Sequence, residues 1–369
     1  MSDAGTAVGG RHYVPPEAGG PALRVWTWLR RNLFNSLANT VLTLAVVVFL
    51  AMVVPPVIGW AVTNATISGA TKAACGPDGA CWTFVRMRLP TFIFGRYPPG
   101  EYWRIFTALA LMVLLAWPVV SERARHRWVF VALLLVAFPM IAGVLLAGGV
   151  FGLRPVDTNA WGGLMLDVIV CFVTVAGSLP LGVLLALGRR STLPVIRTLS
   201  VGFIELWRGV PLLTVLFLSA VIVPLFLPEG VSIDRLLRAM AALILFNAAY
   251  MAEVVRGGLQ GVPEGQEEAA YTLGLSWWKA EFLIVLPQAL RLVVPAIVNT
   301  VVDLFKDTTL ITIIGLSDLL GAVEQALKDP SWLGLAKEGY MFAAFVFFVC
   351  CFAMSSYGRS VEKRLARAH

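Results

Sequence analysis

The chain has 369 residues, of which 58% are hydrophobic and 14% are charged, whereas about a quarter of the residues in a soluble domain are charged. This composition excludes an ordinary soluble domain and predicts an all-α, polytopic membrane protein. Basic loops on the cytoplasmic side of a membrane explain the net charge of +7. No basic run carries the interleaved aromatic residues expected of a nucleic-acid partner.

Residues 1–23 are polar and rich in glycine and proline, which predicts a disordered cytoplasmic tail rather than a signal peptide. Eight apolar stretches follow, each close to the ~20 residues that cross a bilayer as a helix. They are predicted at about Thr40–Val62, Trp103–Val120, Trp128–Val150, Trp161–Leu187, Leu199–Leu227, Leu236–Val255, from near Ala289 to a break around Lys306–Thr308, and Tyr340–Tyr357.

Lysine and arginine are concentrated in alternate loops, starting with Arg24, Arg30 and Arg31 and ending with the basic residues after Tyr357. Because these residues favour the cytoplasmic side, eight spans with both termini in the cytoplasm are predicted. The polar loop 64–101 is then periplasmic, and the polar segment 257–287 is cytoplasmic.

The five cysteines do not predict a metal site. Cys75 and Cys81 flank a Gly-Pro-Asp-Gly turn in the polar loop, where a periplasmic location would allow a disulfide; two free thiols are the alternative. Cys171, Cys350 and Cys351 lie in apolar spans and are interpreted as packing residues. The histidines His12, His126 and His369 have no ligand spacing near the cysteines.

The segment 257–287 is the long polar insert between two spans, with charges at Glu264, Glu267, Glu268, Lys279 and Glu281. A short helix is predicted from about Pro263 to Leu273, followed by a left-handed turn at Gly274. Ser276 is expected to cap a second short helix, and Pro287 precedes the next span. Such a rigid projection would dock onto another protein; the alternative is an amphipathic hairpin on the membrane surface.

Three groups of residues in this segment match a known pattern in both type and spacing: Glu268-Ala269-Ala270, Gly274 and Ile284-Val285-Leu286-Pro287. The pattern resembles the cytoplasmic coupling loop of ATP-binding-cassette importer permeases. That resemblance implies contact with an ATPase through Glu268, close packing at Ala269 and Ala270, the turn at Gly274, and a loop end at Leu286 and Pro287.

Further blocks resemble the five-span core of type I permeases, in the branch that transports polar amino acids. They start at Glu205, Ala248, Val262 and Lys306 and follow the family order. The resemblance implies a core at 160–369 preceded by a three-span extension at 24–159. This extension looks like that of the long permease subunit of general L-amino acid importers, and its role is left open.

The resemblance also implies an alternating-access importer of L-amino acids in the bacterial inner membrane. Its expected partners are an ATPase dimer, a second permease subunit and a periplasmic amino-acid-binding protein. No stretch fits Gly-x4-Gly-Lys-Ser/Thr, so ATP and Mg are expected on the ATPase and no cofactor on this chain. The chain is therefore predicted not to be an enzyme.

Polar residues near the end of the seventh span are the candidates for a substrate route. Asn299, Asp303 and Lys306 recur at helical spacing and share one face, with Asp307 and Thr308 next to them. A cation close to anions or amides suits an amino acid, which carries both charges. The alternative is a hydrogen-bond network between helices without substrate contact.

Two pairs at i, i+3 spacing lie at the predicted ends of spans: Glu205 with Arg208, and Glu253 with Arg256. Each is interpreted as a gating pair or a solvated helix end. Asp167 and Asp303 depart from the residues usual in the family. Both would add negative charge to the route and favour substrates with cationic side chains.

Other functions stay open at this stage. An ion-driven secondary carrier is one, although no paired hydrophobic halves suggest inverted repeats. A structural permease subunit without its own substrate site is another. A membrane enzyme is disfavoured because no span carries a cluster of catalytic residue types. The preferred amino acids and the stoichiometry of the complex do not follow from the sequence.

Overall fold

Helices dominate the computed structural model, which describes residues 21–120 and 126–367. The strand β1 (Ser317–Asp318) has two residues, which make isolated parallel bridges to Gly162 and Gly163. The prediction of an all-α membrane protein is confirmed. Residues 1–20 of the predicted tail lie outside the described residues, as do His12 and His369, whereas residues 21–23 are helical and not disordered.

The chain divides into two units, one formed by the residues up to Ile67 with Ala73–Ala80, the other by Ser68–Lys72 with the residues from Cys81 onward. The predicted boundary at residue 160 is a separate division and stays a prediction.

The first unit contains the helices α1 (Pro21–Asn32) and α2 (Leu37–Ile58). Ser36 begins α2, because its hydroxyl accepts a hydrogen bond of 3.2 Å from the backbone N–H of Asn39. The helix passes through Pro55 and Pro56 and continues as a π-helical turn at Gly59–Thr63.

The second unit contains the other helices: α3 (Trp82–Phe94), α4 (Tyr102–Val120), α5 (Arg127–Ala132), α6 (Phe138–Ala147), α7 (Gly163–Arg189), α8 (Pro194–Gly209), α9 (Leu212–Phe217), α10 (Val223–Leu225), α11 (Arg235–Gln260), α12 (Glu264–Thr272), α13 (Trp277–Ala280), α14 (Leu286–Asp307), α15 (Leu319–Leu327) and α16 (Ala336–Arg367). A 3-10 helix at Thr308–Ile314 follows α14, at the predicted break around Lys306–Thr308.

Seven helical stretches of the described chain are long and apolar enough to cross a membrane, or eight if one bent pair forms a single span. The seven are Leu37–Thr63, Pro99–Val119, Val129–Ala147, Gly163–Arg189, Arg235–Gln260, Trp277–Ile314 and Ala336–Arg364. They account for every predicted span except the fifth.

The predicted fifth span Leu199–Leu227 is sharply bent, because α8 and the stretch Leu212–Leu225 meet at an angle of 100°. Val210 and Pro211 cause the break. A proline restricts the residue before it to extended conformations, and Val210 has φ −104° and ψ 134°.

The predicted polar loop 64–101 contains a helix that the sequence interpretation did not predict, because α3 occupies its second half. The side chains of Phe84 and Phe92 are buried there. Their ring centroids lie 5.7 Å apart, and Phe84 also packs against Trp332 at 5.6 Å. The eight-residue spacing of two buried aromatic residues is the helical signal in this loop.

Three π-helical turns within spans of the second unit end two residues before a proline. They are Leu133–Ala137 before Pro139, Leu218–Ile222 before Pro224, and Glu281–Val285 before Pro287. A proline has no N–H to donate to the carbonyl four residues earlier. In each case that carbonyl lies at the middle of the turn, where wider π geometry accommodates it.

The helices α7 and α11 form the centre of the second unit through close packing of small residues. A Cβ at Gly182 in α7 would lie 2.6 Å from the Cβ of Met251 in α11, so only glycine allows this approach. Further along these two helices the core contains the fully buried Leu166, Val170 and Leu243. Small residues at helix contacts are typical of membrane bundles.

Candidate coupling hairpin and transport route

The polar hairpin, defined as residues 257–287, begins with a short helix stabilised at both ends. Glu264 and Glu267 lie in the first turn of α12, where negative charge is favoured by the helix dipole. The helix ends at Thr272, and the chain then turns at Gly274, which has φ +76°. The N–H of Leu275 donates to the carbonyl of Ala270 at 3.1 Å. The predicted helix and left-handed turn are confirmed.

The second half of the hairpin differs from the prediction. Ser276 precedes α13, but its side chain makes no capping hydrogen bond, so the predicted cap is wrong. α13, the π turn and α14 form one helical stretch, Trp277–Ile314, that can cross a membrane. The helix therefore begins before the predicted start of the span near Ala289, because the apolar run Phe282–Leu286 already continues the helix.

The six predicted coupling residues differ in exposure. Glu268, Ala269 and Gly274 are exposed, Ala270 and Leu286 are buried, and Pro287 is half-buried. The exposed three are available to another protein, whereas Ala270 is buried and Leu286 packs in an apolar cluster with residues of α7 and α11.

Arg190 connects the hairpin to the end of α7. Its Nη2 atom donates to Oε2 of Glu267 on α12 at 3.0 Å, and its Nη1 atom lies 3.4 Å from Oε1 of Glu281. Glu281 is 1% exposed, while Arg190 is 34% exposed. A buried acidic side chain is rarely left unpaired, and Arg190 thereby connects the end of α7 to α12 through Glu267 and to the π turn through Glu281.

Glu267 also receives a hydrogen bond within α12. The hydroxyl of Tyr271 donates to its Oε1 atom at 2.9 Å. Burial, together with this hydrogen bond to a carboxylate, raises the pKa of Tyr271. Glu267 is thereby fixed toward Arg190, although the sequence interpretation had assigned it no role.

Glu253 on α11 is the centre of a second charged cluster. It pairs with Arg256 at 2.7 Å, with Arg208 at 3.7 Å, and in closer contact with Arg189. The predicted pair of Glu253 and Arg256 is confirmed as a contact. The cluster joins the ends of α7, α8 and α11.

The predicted contact between Glu205 and Arg208 is replaced by contacts to other helices. Glu205 lies 3.6 Å from Arg189, and Arg208 is drawn to Glu253. Arg208 also lies over the ring of Tyr250, with its Cζ atom 5.9 Å from the ring centroid. Glu205 and Arg208 therefore each pair with a charge on a neighbouring helix and not with each other.

The predicted route residues separate into an exposed and a buried set. Asn299, Asp303 and Lys306 are exposed on α14, and Nζ of Lys306 lies 2.8 Å from Oδ1 of Asp303. These two side chains are 55% and 70% exposed. Charges within a span rarely face lipid, so this face suits water, substrate or another subunit.

Thr308 belongs to the buried set, and Asp307 is half-buried between the two sets. The hydroxyl of Thr308 donates to Oδ1 of Asp167 at 2.7 Å. The N–H of Leu319 donates to the other carboxylate oxygen at 3.0 Å. Asp167 is fully buried, so in this conformation it offers no charge to an open route, contrary to the expectation.

The cysteines differ in state along the chain. Cys75 and Cys81 are disulfide-bonded, while Cys171, Cys350 and Cys351 are free. Within residues 21–120 and 126–367, no group of three or more histidine, cysteine or acidic side chains is placed to hold a metal ion.

Sequence reasoning missed Arg189 and Arg190 as contact residues, because they were used only to orient the chain. Two signals were present. Consecutive arginines directly follow an apolar span, and Glu281 begins the otherwise apolar run Glu-Phe-Leu-Ile-Val. An acid on a buried helix face requires a cation elsewhere in the chain.

A helical bundle with seven or eight candidate spans, a polar hairpin between two of them and charges at the ends of its helices defines a membrane transport subunit. Residues 178–367 match the protein family described as the binding-protein-dependent transport system inner membrane component. The chain belongs to this family. It is a multi-pass inner membrane permease, not an enzyme, and permeases of this kind work with an ATPase and a binding protein.

Two relatives match over almost the whole chain. The inner membrane amino-acid ABC transporter permease protein YhdY of Escherichia coli (strain K12) is 49% identical over 352 residues, which cover 95% of this chain and 96% of that protein. The glutamate/glutamine/aspartate/asparagine transport system permease protein BztC of Rhodobacter capsulatus is 36% identical and covers 93% and 94%. Most of the residues before the family match at 178–367 are therefore shared with these relatives.

Among solved structures, the chain is similar to one described as the crystal structure of an amino acid ABC transporter with histidines. The sequences are 28% identical, the match covers 55% of this chain and 92% of that chain, and the TM-score is 0.49.

Proposed function

We propose that the chain is a permease subunit of an ATP-driven importer that moves polar L-amino acids from the periplasm to the cytoplasm by alternating access. The family supports the transport role, and the names of YhdY and BztC support amino acids as the cargo. A second permease subunit, a periplasmic amino-acid-binding protein and an ATPase dimer carrying ATP and Mg complete the proposed complex.

The observation that carries the proposal is the polar hairpin. In our proposal its exposed residues Glu268, Ala269 and Gly274 dock onto the ATPase. When the ATPase moves α12, the ion pair of Glu267 with Arg190 moves α7 with it. A partner shifts a conformational equilibrium only if it binds the two states differently. The hairpin must therefore make contacts in one nucleotide state of the ATPase that it loses in the other.

The exposed face of Asn299, Asp303 and Lys306 is our proposal for the substrate route, with Asp307 and Thr308 at its end. The paired charges of Lys306 and Asp303 suit the carboxylate and the ammonium of an amino acid. Glu205, Arg208, Glu253 and Arg256 then control the end of the route next to the hairpin.

The proposed orientation places both termini and the hairpin in the cytoplasm, where an ATPase can reach the hairpin. Termini on one side require an even number of spans, so the bent pair of α8 with α9 and α10 counts as one span in this proposal. In the same proposal, residues 24–159 form the three-span extension and residues 160–369 form the permease core. The disulfide between Cys75 and Cys81 then lies in the periplasm.

Uptake into proteoliposomes tests the function. The purified complex is supplied with binding protein and a labelled amino-acid mixture, with ATP on the ATPase side, or with a proton or sodium gradient and no ATP. Uptake that requires ATP is expected. Uptake driven by a gradient alone would instead identify an ion-driven carrier.

A further inference from the structure

The helix α1 (Pro21–Asn32) is strongly amphipathic and has an exposed apolar side. Val25, Trp26 and Leu29 lie on adjacent positions of one side of the helix. Val25 and Trp26 are 58% and 62% exposed. Arg24 and Arg31 are seven residues apart, which is about two helical turns, so both lie on the opposite side of the helix. A helix with basic residues opposite tryptophan and aliphatic residues is typical of the membrane–water interface.

The positive charge of α1 has no counter-charge nearby in the sequence. Arg24, Arg30 and Arg31 are exposed, and no acidic residue occurs from Ala18 to Pro77. Within the described residues these three arginines form no salt bridge.

The helix dipole explains only part of this charge. Arg30 and Arg31 lie in the last turn of α1, where cations are favoured. Arg24 lies near the beginning of the helix, where a cation is disfavoured, and the first turn has no acidic residue. An anion outside the helix accounts for all three arginines together.

The position of α1 next to a span identifies where that anion is found. α2 begins at Leu37, after a four-residue turn, and crosses the membrane as the candidate span Leu37–Thr63. The hydroxyl of Thr43 in α2 donates to the carbonyl of Leu33 at 3.1 Å, which holds the turn against the beginning of the span. α1 is therefore held close to the membrane surface, where the span begins.

We propose that α1 lies in the membrane–water interface and binds the headgroups of anionic phospholipids through Arg24, Arg30 and Arg31, with Val25, Trp26 and Leu29 toward the acyl chains. The arginines supply the charge complementarity, and the tryptophan prefers the headgroup level. This binding is separate from the transport reaction and does not require the proposed orientation.

Hydrogen exchange of the full-length chain in nanodiscs tests the proposal. One set of discs contains phosphatidylcholine alone, and the other contains phosphatidylcholine mixed with phosphatidylglycerol. Each basic residue near an anionic surface contributes to binding, so we expect the exchange of the amides of α1 to slow by about tenfold or more with phosphatidylglycerol. High salt should remove the difference.

The triple variant Arg24→Gln, Arg30→Gln, Arg31→Gln should lose this lipid dependence while the amides of α2 exchange as in the wild type. The matched control replaces Arg359, Lys363 and Arg364 at the end of α16 with glutamine, removes the same charge and should keep the effect. Equal protection of α1 in both lipids would overturn the proposal and indicate packing against protein. If the triple variant misfolds, Arg24→Gln and the salt dependence of the wild type still decide the outcome.

Discussion

Asp167 in α7 accepts a hydrogen bond of 2.7 Å from the hydroxyl of Thr308, a residue 141 positions further along the chain. Its other carboxylate oxygen accepts the N–H of Leu319 at 3.0 Å. One buried side chain thus joins α7 to the end of α14 and to the beginning of α15. Together these two bonds connect the first and last parts of the proposed core.

The replacement Asp167→Ala should destabilise the protein by about 1–3 kcal/mol, because the buried N–H of Leu319 loses its acceptor. Thr308 is less affected, since its hydroxyl lies 2.8 Å from the carbonyl of Phe305 and can donate there instead. Thermal unfolding of the detergent-solubilised complex measures the difference.

The variant Asp167→Asn is the matched control. Its amide oxygen can accept from Leu319, and its NH2 group can donate to the hydroxyl oxygen of Thr308. We expect it to be close to wild type in stability. An asparagine variant as unstable as the alanine variant would contradict this account of the hydrogen bonds.

The contact between Arg190 and Glu281 predicts an asymmetric pair of variants. Arg190→Gln should lower the stability, because it leaves the buried Glu281 without its cation. The loss should stay below the ~3–5 kcal/mol of a fully buried pair, since Arg190 is partly exposed and its charge is screened. Thermal unfolding and uptake are both measured.

Glu281→Gln should be tolerated, and adding it to Arg190→Gln should recover most of the lost stability. If the double variant is as unstable as Arg190→Gln alone, Glu281 is not the reason that Arg190 matters. The hydrogen bond to Glu267 would then be the important one.

Gly274→Asp should leave membrane levels intact and abolish ATP-driven uptake. The backbone of Gly274 has φ +76°, and a Cβ there would meet open space. The cost to the fold is therefore limited to about 1–2 kcal/mol of backbone strain. The added carboxylate would prevent close docking of the hairpin onto an ATPase.

Gly230→Asp provides a matched control, because Gly230 has φ +85° and equally open surroundings in the turn before α11. It should transport normally. Normal uptake by Gly274→Asp, or equal loss in both variants, would count against the role of the hairpin.

Lys306→Met should reduce uptake by about 10- to 100-fold at normal membrane levels. A hydrogen bond to a charged group contributes about 1.5–3 kcal/mol, and the substrate carboxylate would lose such a bond. Lys337→Met, an exposed lysine at the beginning of α16, is the control and should leave uptake unchanged.

The double variant Lys306→Met, Asp303→Asn separates a route from a structural ion pair. It removes both charges, so a purely structural pair would regain function, whereas a substrate route would stay defective. Recovery of uptake in this variant would remove Lys306 from the route.

The sequence predicted the features that depend on composition and local pattern. Apolar length located the spans, since a helix that crosses a bilayer must be apolar along its length. The φ of Gly274 was predictable because a left-handed turn after a short polar helix favours glycine. The resemblance to the coupling loop of the family supplied the boundaries of the hairpin.

The features that depend on distant partners were not predictable. Glu205 has Arg208 at helical spacing, yet it lies near Arg189 on another helix. Asp167 was interpreted as a route residue because nothing in its local sequence indicates Thr308 and Leu319 as partners. Contacts across helices are decided by how α7, α11 and α14 pack together.

Two local errors have local causes. The bend between α8 and α9 follows from Val210 and Pro211, which an interpretation based on hydropathy alone passes over. The helix α3 was missed because the whole segment was interpreted as a polar loop between two spans. Its aromatic spacing was the better guide.

The proline-associated π turns also bear on how the length of this protein can change. Deleting a residue from an ordinary helix rotates everything beyond it by about 100° and moves a buried face to the outside. A π turn already contains one residue more than the α-helix needs. Removing it would restore α geometry while both halves of the helix keep their faces. The turns at Leu133–Ala137, Leu218–Ile222 and Glu281–Val285 are therefore places inside the spans where a single-residue gap between related permeases can occur without repacking the bundle.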